Sequence, residues 1–194
     1  MYRFLLVSLN IDAILQETTI HRRRQKLNGM TNGLGLGGAY CATLDRIKEQ
    51  GGEKARLGTA ALMWVSYAER PLKTDELLYA LGIEIGSPNL NSDNIPSIGI
   101  LLARRQGLVV DKEASTVRLI HFTLQEYLRA HPQLLGIAHS AMAETCLSYL
   151  NSQQVKDLST IPSPDPQSTP FVEYASLYWG VHAKRELSDC AKVT

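Results

Sequence analysis

The sequence predicts a mostly α-helical protein in which a winged helix, three helices followed by a small β-hairpin, is flanked by further helical segments. Two observations predict this class. Apolar residues recur at helical spacing along most of the 194 residues, whereas 108–111 and 116–120 have the alternating pattern of short strands. The two strand patterns follow three predicted helices, which is the order of elements in a winged-helix domain.

Residues 1–50 form the first predicted segment, which is helical and contains a glycine-rich loop. Apolar residues between positions 4 and 15 cover much of a predicted helix, and a second helix is predicted over 39–50. Between these helices, the basic run at 21–26 and the glycines at 29–38 indicate a loop.

Residues 51–130 carry the predicted winged helix. Its first helix is predicted over 53–68, because an apolar stripe ends there before an Arg-Pro dipeptide. The second helix has Thr74 as its N-cap and ends at Gly82. The third helix is predicted between 96 and 107 and leads into the hairpin.

A histidine, His121, lies between the second strand and a strong signal for a helix start. Thr123 and Glu126 match the T-x-x-E capping box, and Phe122 with Tyr127 matches the hydrophobic staple, so a helix is predicted to begin at Thr123. This position would place His121 beside free backbone N–H groups, a setting suited to phosphate oxygens. The alternative is a structural histidine that binds a neighbouring backbone group.

Residues 131–194 predict the start of a further helical domain. An amphipathic helix is predicted after His131-Pro132, and four prolines indicate an extended linker at 161–170. Pro170 then begins a last helix with an aromatic surface, which requires a covering partner. The aromatic residues are Phe171, Tyr174, Tyr178 and Trp179.

Composition excludes several classes of function. Twenty Lys and Arg against 19 Asp and Glu give a net charge of +1, so the chain has no overall basic field for non-specific nucleic-acid binding. The three cysteines match neither a metal pair nor an even disulfide framework, which favours a reducing, cytoplasmic compartment. No stretch approaches the ~20 apolar residues of a membrane span, and no cleavage site follows the first residues. We predict no membrane partner.

The sequence contains no recognisable set of catalytic residues, and we predict that the protein is not an enzyme. The patterns G-x-S-x-G, H-E-x-x-H and G-x-x-x-x-G-K-[ST] are absent. Gly33, Gly35 and Gly38 satisfy G-x-G-x-x-G, but no strand precedes them, so a dinucleotide site is not predicted. His139 and His182 lack a metal-ligand spacing to each other or to a cysteine, and no metal site is predicted.

An alternative function is DNA binding through the third helix of the winged helix. Arg104 and Arg105 stand at its end, where a DNA-reading helix would carry them, and the basic run at 22–26 could add phosphate contacts. The same two arginines also complement the negative end of the helix dipole. That simpler account, together with the small net charge, makes DNA binding the second hypothesis.

The chain resembles the region that follows the nucleotide-binding core in NACHT-type STAND signalling ATPases, especially fungal NACHT and ankyrin-repeat proteins. Residues 53–130 also resemble the GPI inositol-deacylase winged-helix domain. The matching segments are Tyr40 to Ile47, Leu62 to Leu81, Asn94-Ile95-Pro96, Gly107 to Val110, His121 to Leu128, Ala138-His139, Cys146 to Leu150 and Pro170 to Ala175.

The resemblance implies a non-catalytic regulatory module that couples nucleotide state to a downstream repeat sensor. Its H-x-x-x-Q-E motif, matched by His121, Gln125 and Glu126, implies a histidine that contacts the β-phosphate of ADP in an intact parent protein. The implied partners are a NACHT domain upstream and ankyrin-type repeats downstream. Because the P-loop is missing, we expect a fragment or truncated paralogue that binds no ADP or ATP itself, and Gln125 and Glu126 are expected to cap and pack.

Overall fold

In a computed structural model, the described residues are 14–15, 17–31, 36–103, 108–111, 113–119, 122–160 and 168–190. They are mostly helical, as the sequence predicts, and form a two-stranded antiparallel sheet. None of the described helices is both long and apolar enough to cross a membrane. The elements are α1 (Ile20–Thr31), α2 (Leu36–Glu49), α3 (Gly52–Tyr67), α4 (Thr74–Gly82), α5 (Ile98–Ala103), β1 (Leu108–Asp111), β2 (Thr116–Leu119), α6 (Phe122–Ala130), α7 (Ala138–Leu150), α8 (Gln153–Lys156) and α9 (Val172–Cys190), with 3-10 turns at Ser92–Asn94, Pro132–Leu134 and Asp157–Thr160.

Helices α3, α4 and α5 and the hairpin β1–β2 form the predicted winged helix. The strands pair in antiparallel register, with Asp111 opposite Thr116 at the turn. The Asp111 carboxylate accepts hydrogen bonds from the backbone N–H groups of Glu113 and Ala114, at 3.1 and 3.2 Å. These bonds close the turn, in which Ser115 has a φ of 50°.

Helix α3 lies at the centre of the hydrophobic core. Its Trp64 is fully buried and meets the rings of Phe171 and Tyr174 edge to face, with centroids 5.5 and 5.9 Å apart. Residues from α2 to α9 therefore belong to one continuous core. Its largest fully buried members are Trp64, Tyr40, Tyr149, Tyr174, Phe171, Leu62, Leu72, Leu77, Leu101, Leu124, Leu128 and Met142.

Helices α7 and α9 pack side by side in opposite directions. Tyr149, near the end of α7, packs on Phe171 just before α9, with ring centroids 5.3 Å apart. His139, at the start of α7, meets His182 in the second half of α9. The predicted aromatic surface of the last helix is thus largely covered by α3 and α7, although Trp179 stays 41% exposed.

The basic run predicted as a loop lies instead in helix α1. Arginine, glutamine, lysine and leucine all favour helices, and the Thr19 hydroxyl accepts from the backbone N–H of Arg22 at 3.3 Å, as an N-terminal cap does. The side chains of Arg23 and Lys26 fold back onto Glu17, at 2.8 Å each. The loop prediction was wrong because it gave the charges more weight than these propensities.

Helix α2 begins at Leu36, earlier than the predicted residue 39, and includes two glycines. A Cβ atom at Gly37 would lie 3.2 Å from the ring of Tyr127 in α6, so the glycine permits a close approach of the two helices. Because this approach is a tertiary contact, the sequence pattern of α2 alone does not reveal it.

Thr74 was predicted as the N-cap of α4, but it is the first residue of that helix, and Lys73 is the N-cap. The Glu76 carboxylate accepts from the Lys73 backbone N–H at 2.8 Å. The Thr74 hydroxyl instead donates to the backbone carbonyl of Ser115 in the hairpin turn, at 3.1 Å.

Three predictions concern residues outside the described ranges. They are most of the helix predicted at 4–15, residues 32–35 in the centre of the predicted glycine-rich loop, and residues 161–167 of the linker predicted at 161–170. These stay predictions.

Candidate functional site

The site residues predicted from the sequence fall outside the described residues. Strand β2 ends at Leu119 and α6 begins at Phe122, and His121 lies in the interval between them. Arg104 and Arg105 lie in the interval between α5 and β1. Their roles in nucleotide sensing and in DNA binding therefore stay predictions. The candidate site is built from described residues, first those of α6 and then a buried group of polar side chains.

The predicted start of the helix after His121 was wrong in detail. Helix α6 begins at Phe122, so Thr123 is already inside it, and its hydroxyl pairs with the hydroxyl of Tyr40 at 2.6 Å. The staple is also wrong, because Phe122 is 69% exposed and the Tyr127 ring packs on Tyr40, with centroids 5.1 Å apart. These side chains join α6 to α2 instead of closing the helix start.

Gln125, the glutamine of the H-x-x-x-Q-E motif, binds the end of α3. Its side-chain amide donates to the backbone carbonyls of Val65 and Ser66, at 3.3 and 3.2 Å. Arg129, one turn further along α6, donates to the same Ser66 carbonyl at 2.6 Å. Because the last carbonyls of a helix lack partners within it, both side chains stabilise the C-terminal turn of α3. The expectation that Gln125 is a packing residue is confirmed, whereas Glu126 is exposed.

A second polar contact lies deep in the molecule, where α3, α7 and α9 meet. His182 is 0% exposed and His139 is 8% exposed, and their Nδ1 atoms are 2.9 Å apart. The Nε2 atom of His182 is 2.9 Å from the hydroxyl of Tyr174, which also accepts from the backbone N–H of Glu69 at 3.1 Å. The ring of Tyr67 packs on His139 at 5.3 Å. We call His139, His182 and Tyr174 the histidine cluster.

The hydrogen bonds of the histidine cluster fit one assignment of protons. The Tyr174 oxygen accepts from Glu69, so its own proton can go to Nε2 of His182. His182 then carries its proton on Nδ1 and donates it to Nδ1 of His139. In this arrangement the Tyr174 O–H and the Nδ1–H of His182 each have an acceptor while both imidazoles are neutral.

Ion pairs surround the histidine cluster. Arg70 binds the fully buried carboxylate of Glu76 with two bonds of 2.7 Å, and its guanidinium lies 5.4 Å from the centre of the Tyr174 ring. The Glu76 carboxylate raises the pKa of Arg70 above its ordinary value. On the other side, Arg185 pairs with Glu69 at 2.8 Å.

Burial favours the neutral forms of three groups in this region. Burial, assisted by the electrostatic effects of His139 and Arg185, lowers the pKa of His182 from 6.5 to about 4. Burial also raises the pKa of the Tyr174 hydroxyl and raises that of the Cys146 thiol to about 12. A buried imidazole and thiol of this kind can hold helices together, and both side chains are 0% exposed.

Within the described ranges, no group of three or more His, Cys, Asp or Glu side chains is placed to hold a metal ion. A cavity lies between α4 and the polar loop after it, and its lining includes Tyr79, Gly82 and Asn94. It has a volume of only about 10 Å³, which is room for roughly one water molecule.

Sequence reasoning missed the histidine cluster, although part of its signal is visible. Tyr174, Tyr178 and His182 follow one another at a spacing of four residues, which puts all three on one face of a helix. A histidine that continues an aromatic stripe is a candidate for burial. Its partner, His139, belongs to a different helix, and no local pattern connects the two.

Comparison with known protein families gives one match. Residues 45–141, half of the chain, match the family model of the winged helix domain of GPI inositol-deacylase. The match includes α3 to α6 and the start of α7, so it contains His139 but ends before His182. Neither the curated proteins nor the solved structures gave a match.

Proposed function

The chain belongs to the family of the GPI inositol-deacylase winged helix domain, and we propose that it is a non-catalytic regulatory and interaction module of a NACHT-type STAND signalling ATPase. In this role it couples the nucleotide state of a NACHT domain to a sensor built of ankyrin-type repeats, within one longer protein or between chains. The observation that carries the proposal is the position of α3, which contacts α6 on one side and α7 with α9 on the other.

The packing around α3 supports a coupling role. Helix α6 begins one residue after His121, and its Gln125 and Arg129 bind the end of α3. From α3, Trp64 continues the contact into α9. Because packed helices move as rigid units, a displacement at the start of α6 would be passed to α9. His121 is proposed to respond to the β-phosphate of ADP in an intact parent protein, and this chain itself takes no nucleotide.

Exposed apolar side chains on α9 support a partner on its outer surface. Leu177 and Val181 stand one helical turn apart on α9, and Leu187 follows in the same helix; all three are exposed. We propose that ankyrin-type repeats cover this surface. Cys41 and Cys146 are free thiols, which supports the reducing, cytoplasmic location that we propose.

Nucleotide binding gives the first test. Calorimetry of the full chain with ADP and with ATP is expected to show no binding, because no phosphate-binding loop is present in the sequence. Micromolar affinity for either nucleotide would contradict the assignment as a regulatory module without its own nucleotide site.

The second test uses a full-length NACHT-type relative that contains this winged helix. Replacing the histidine that corresponds to His121 with alanine is expected to speed ADP release about tenfold, the effect of losing ~1.4 kcal/mol of a charge-assisted bond. Alanine at the position of the exposed Glu126 is the matched control. ADP retention unchanged by the histidine substitution would contradict the sensor role.

DNA binding has its own test. If this chain shifts a DNA duplex in a gel, and Arg104→Ala with Arg105→Ala abolishes the shift, DNA binding would replace the proposal.

A further inference from the structure

The histidine cluster joins the part of the chain that matches the winged-helix family to a helix outside that match. His139 lies within the matched residues and His182 lies beyond them, in α9. The cluster is also the place where α9 contacts α3, through the Trp64 and Tyr174 rings. A chemical change in the cluster would therefore alter the packing of α9 against α3 and α7.

We propose that the His139–His182 pair is an acid-sensitive contact, so that uptake of a proton by the pair loosens α9 from α3 and α7. This inference stands on the geometry of the cluster and is independent of the proposed NACHT partner.

The hydrogen bonds explain why a proton would disrupt the contact. In the neutral arrangement, the free lone pairs of the two rings are used as acceptors, on Nδ1 of His139 and on Nε2 of His182. An added proton occupies one of these positions. It then faces either the Nδ1–H of His182, at 2.9 Å, or the O–H of Tyr174, also at 2.9 Å. On His139 the proton displaces the bond from the Nδ1–H of His182. On His182 it turns the Tyr174 hydroxyl into an acceptor, whose own buried proton then has no acceptor in the cluster.

Arg185 opposes an imidazolium ion at His182, and the two carboxylates nearest the pair are each bonded to another group. Arg185 on α9 and Arg70 after α3 are cations, and the Glu69 carboxylate between them pairs with Arg185. The Glu186 carboxylate accepts from the backbone N–H of Ser140 at the start of α7, at 3.0 Å. His139 lies in this first turn of α7, where the helix dipole is positive and opposes a further positive charge.

The remaining titratable groups facing the pair are neutral. They are Tyr67 on α3, whose ring packs on His139, and Tyr174 on α9, whose hydroxyl pairs with His182; the thiol of Cys146 on α7 interacts with Tyr174. Burial holds the pKa of Tyr174 and of Cys146 above their ordinary values, so neither supplies a negative charge at neutral or acid pH.

The expected pH range follows from the pKa of His182, which is about 4 in the folded chain against an ordinary 6.5. Between these two values the unfolded chain binds more protons than the folded one, so acid weakens the folded state. The folding equilibrium constant is expected to fall up to tenfold for each pH unit within this range. Above pH 6.5 this contribution does not change with pH.

The test is the pH dependence of hydrogen exchange and urea unfolding of the full chain. From pH 7 to pH 5, the unmodified chain is expected to lose protection in α7 and α9 more than in α4, after correction for the intrinsic exchange rate. The double variant His139→Phe with His182→Phe keeps two stacked rings without a titrating group. The change in its folding equilibrium constant between pH 7 and pH 5 is expected to be at least tenfold smaller than that of the unmodified chain. His21→Gln, at an exposed position of α1, is the matched control and should behave like the unmodified chain.

A second measurement on the unmodified chain keeps the proposal testable if the double variant fails to fold. The imidazole resonances of all five histidines are followed by NMR as acid is added. His182 is expected to titrate at least one pH unit below 6.5, and the near-ultraviolet signal of the buried aromatic rings should be lost over the same range. The proposal would be overturned if His182 titrates at pH 6.5 or above. Equal acid sensitivity of the double variant and the unmodified chain would also overturn it.

Discussion

Helix α3 is contacted by α6 at its end and by α9 along its side, and the two contacts differ in burial and in chemistry. At the α6 contact, Gln125 and Arg129 bind carbonyls of the last helical turn, and Arg129 is exposed. At the α9 contact, Trp64 packs on aromatic rings, and the histidine cluster is buried. Since stabilisation grows with the apolar area buried, the α9 contact should contribute more to the folded state.

Truncation of Trp64 is the strongest way to break the α9 contact. Trp64→Ala removes a fully buried ring that touches Phe171 and Tyr174, and we expect the free energy of unfolding to fall by about 3–5 kcal/mol. Urea unfolding followed by circular dichroism measures it. Trp179→Ala, at the partly exposed tryptophan of α9, is the control and should cost about 1 kcal/mol or less. Equal losses of unfolding free energy for Trp64→Ala and Trp179→Ala would contradict the conclusion that the buried Trp64 ring stabilises the α9 contact.

The buried ion pair beside Tyr174 gives the next largest effect. Glu76→Gln leaves Arg70 facing a neutral amide, and we expect a loss of about 3 kcal/mol because the carboxylate is fully buried. The control is Glu53→Gln, since the pair of Glu53 with Arg56 is exposed on both sides. A chemical denaturation midpoint that moves equally for the two variants would show that burial does not determine the strength of these pairs.

The α6 contact should be weaker. Gln125→Ala removes two hydrogen bonds to the end of α3, and about 1 kcal/mol is expected from a half-buried amide of this kind. Glu126→Ala, at the exposed neighbour in α6, should change stability little. Thermal unfolding compares the two variants. If Gln125→Ala were as destabilising as Trp64→Ala, the α6 contact would not be the weaker of the two.

Thiol reactivity sharpens the comparison without altering stability. Burial raises the pKa of Cys146 to about 12, so about one thiol in ten thousand is ionised at pH 8. We expect Cys146 to resist a thiol reagent in the folded chain and to react after addition of denaturant. Cys41, which is only half-buried, is the internal control. Mass spectrometry of the labelled peptides distinguishes them, and rapid labelling of Cys146 would mean that the region around α9 opens readily.

The sequence predicts the elements around the α6 contact better than those around the histidine cluster. Helix α3 and the hairpin lie within about a residue of their predicted bounds where they are described, because apolar periodicity and turn residues act locally. The caps at Thr74 and Thr123 were each misplaced, since both hydroxyls bind partners far along the chain. The role of His121 rests on the resemblance alone.

The histidine cluster was beyond local reasoning. His139 and His182 are 43 positions apart in the sequence, and each alone reads as an isolated histidine on a helix. What makes them a pair is the antiparallel docking of α7 and α9, which brings the start of one helix to the far half of the other. The lowered pKa of His182 depends on that docking and not on any motif.

The bond between Glu186 and the backbone N–H of Ser140 has a consequence for biosynthesis. The acceptor that satisfies the first turn of α7 is translated 46 residues after that turn, and the rings that enclose Trp64 are translated later than Trp64 itself. A nascent chain that stops short of α9 exposes the interior face of α3, a surface that chaperones recognise. Completion of this core is therefore a late event, after the last helix clears the exit tunnel.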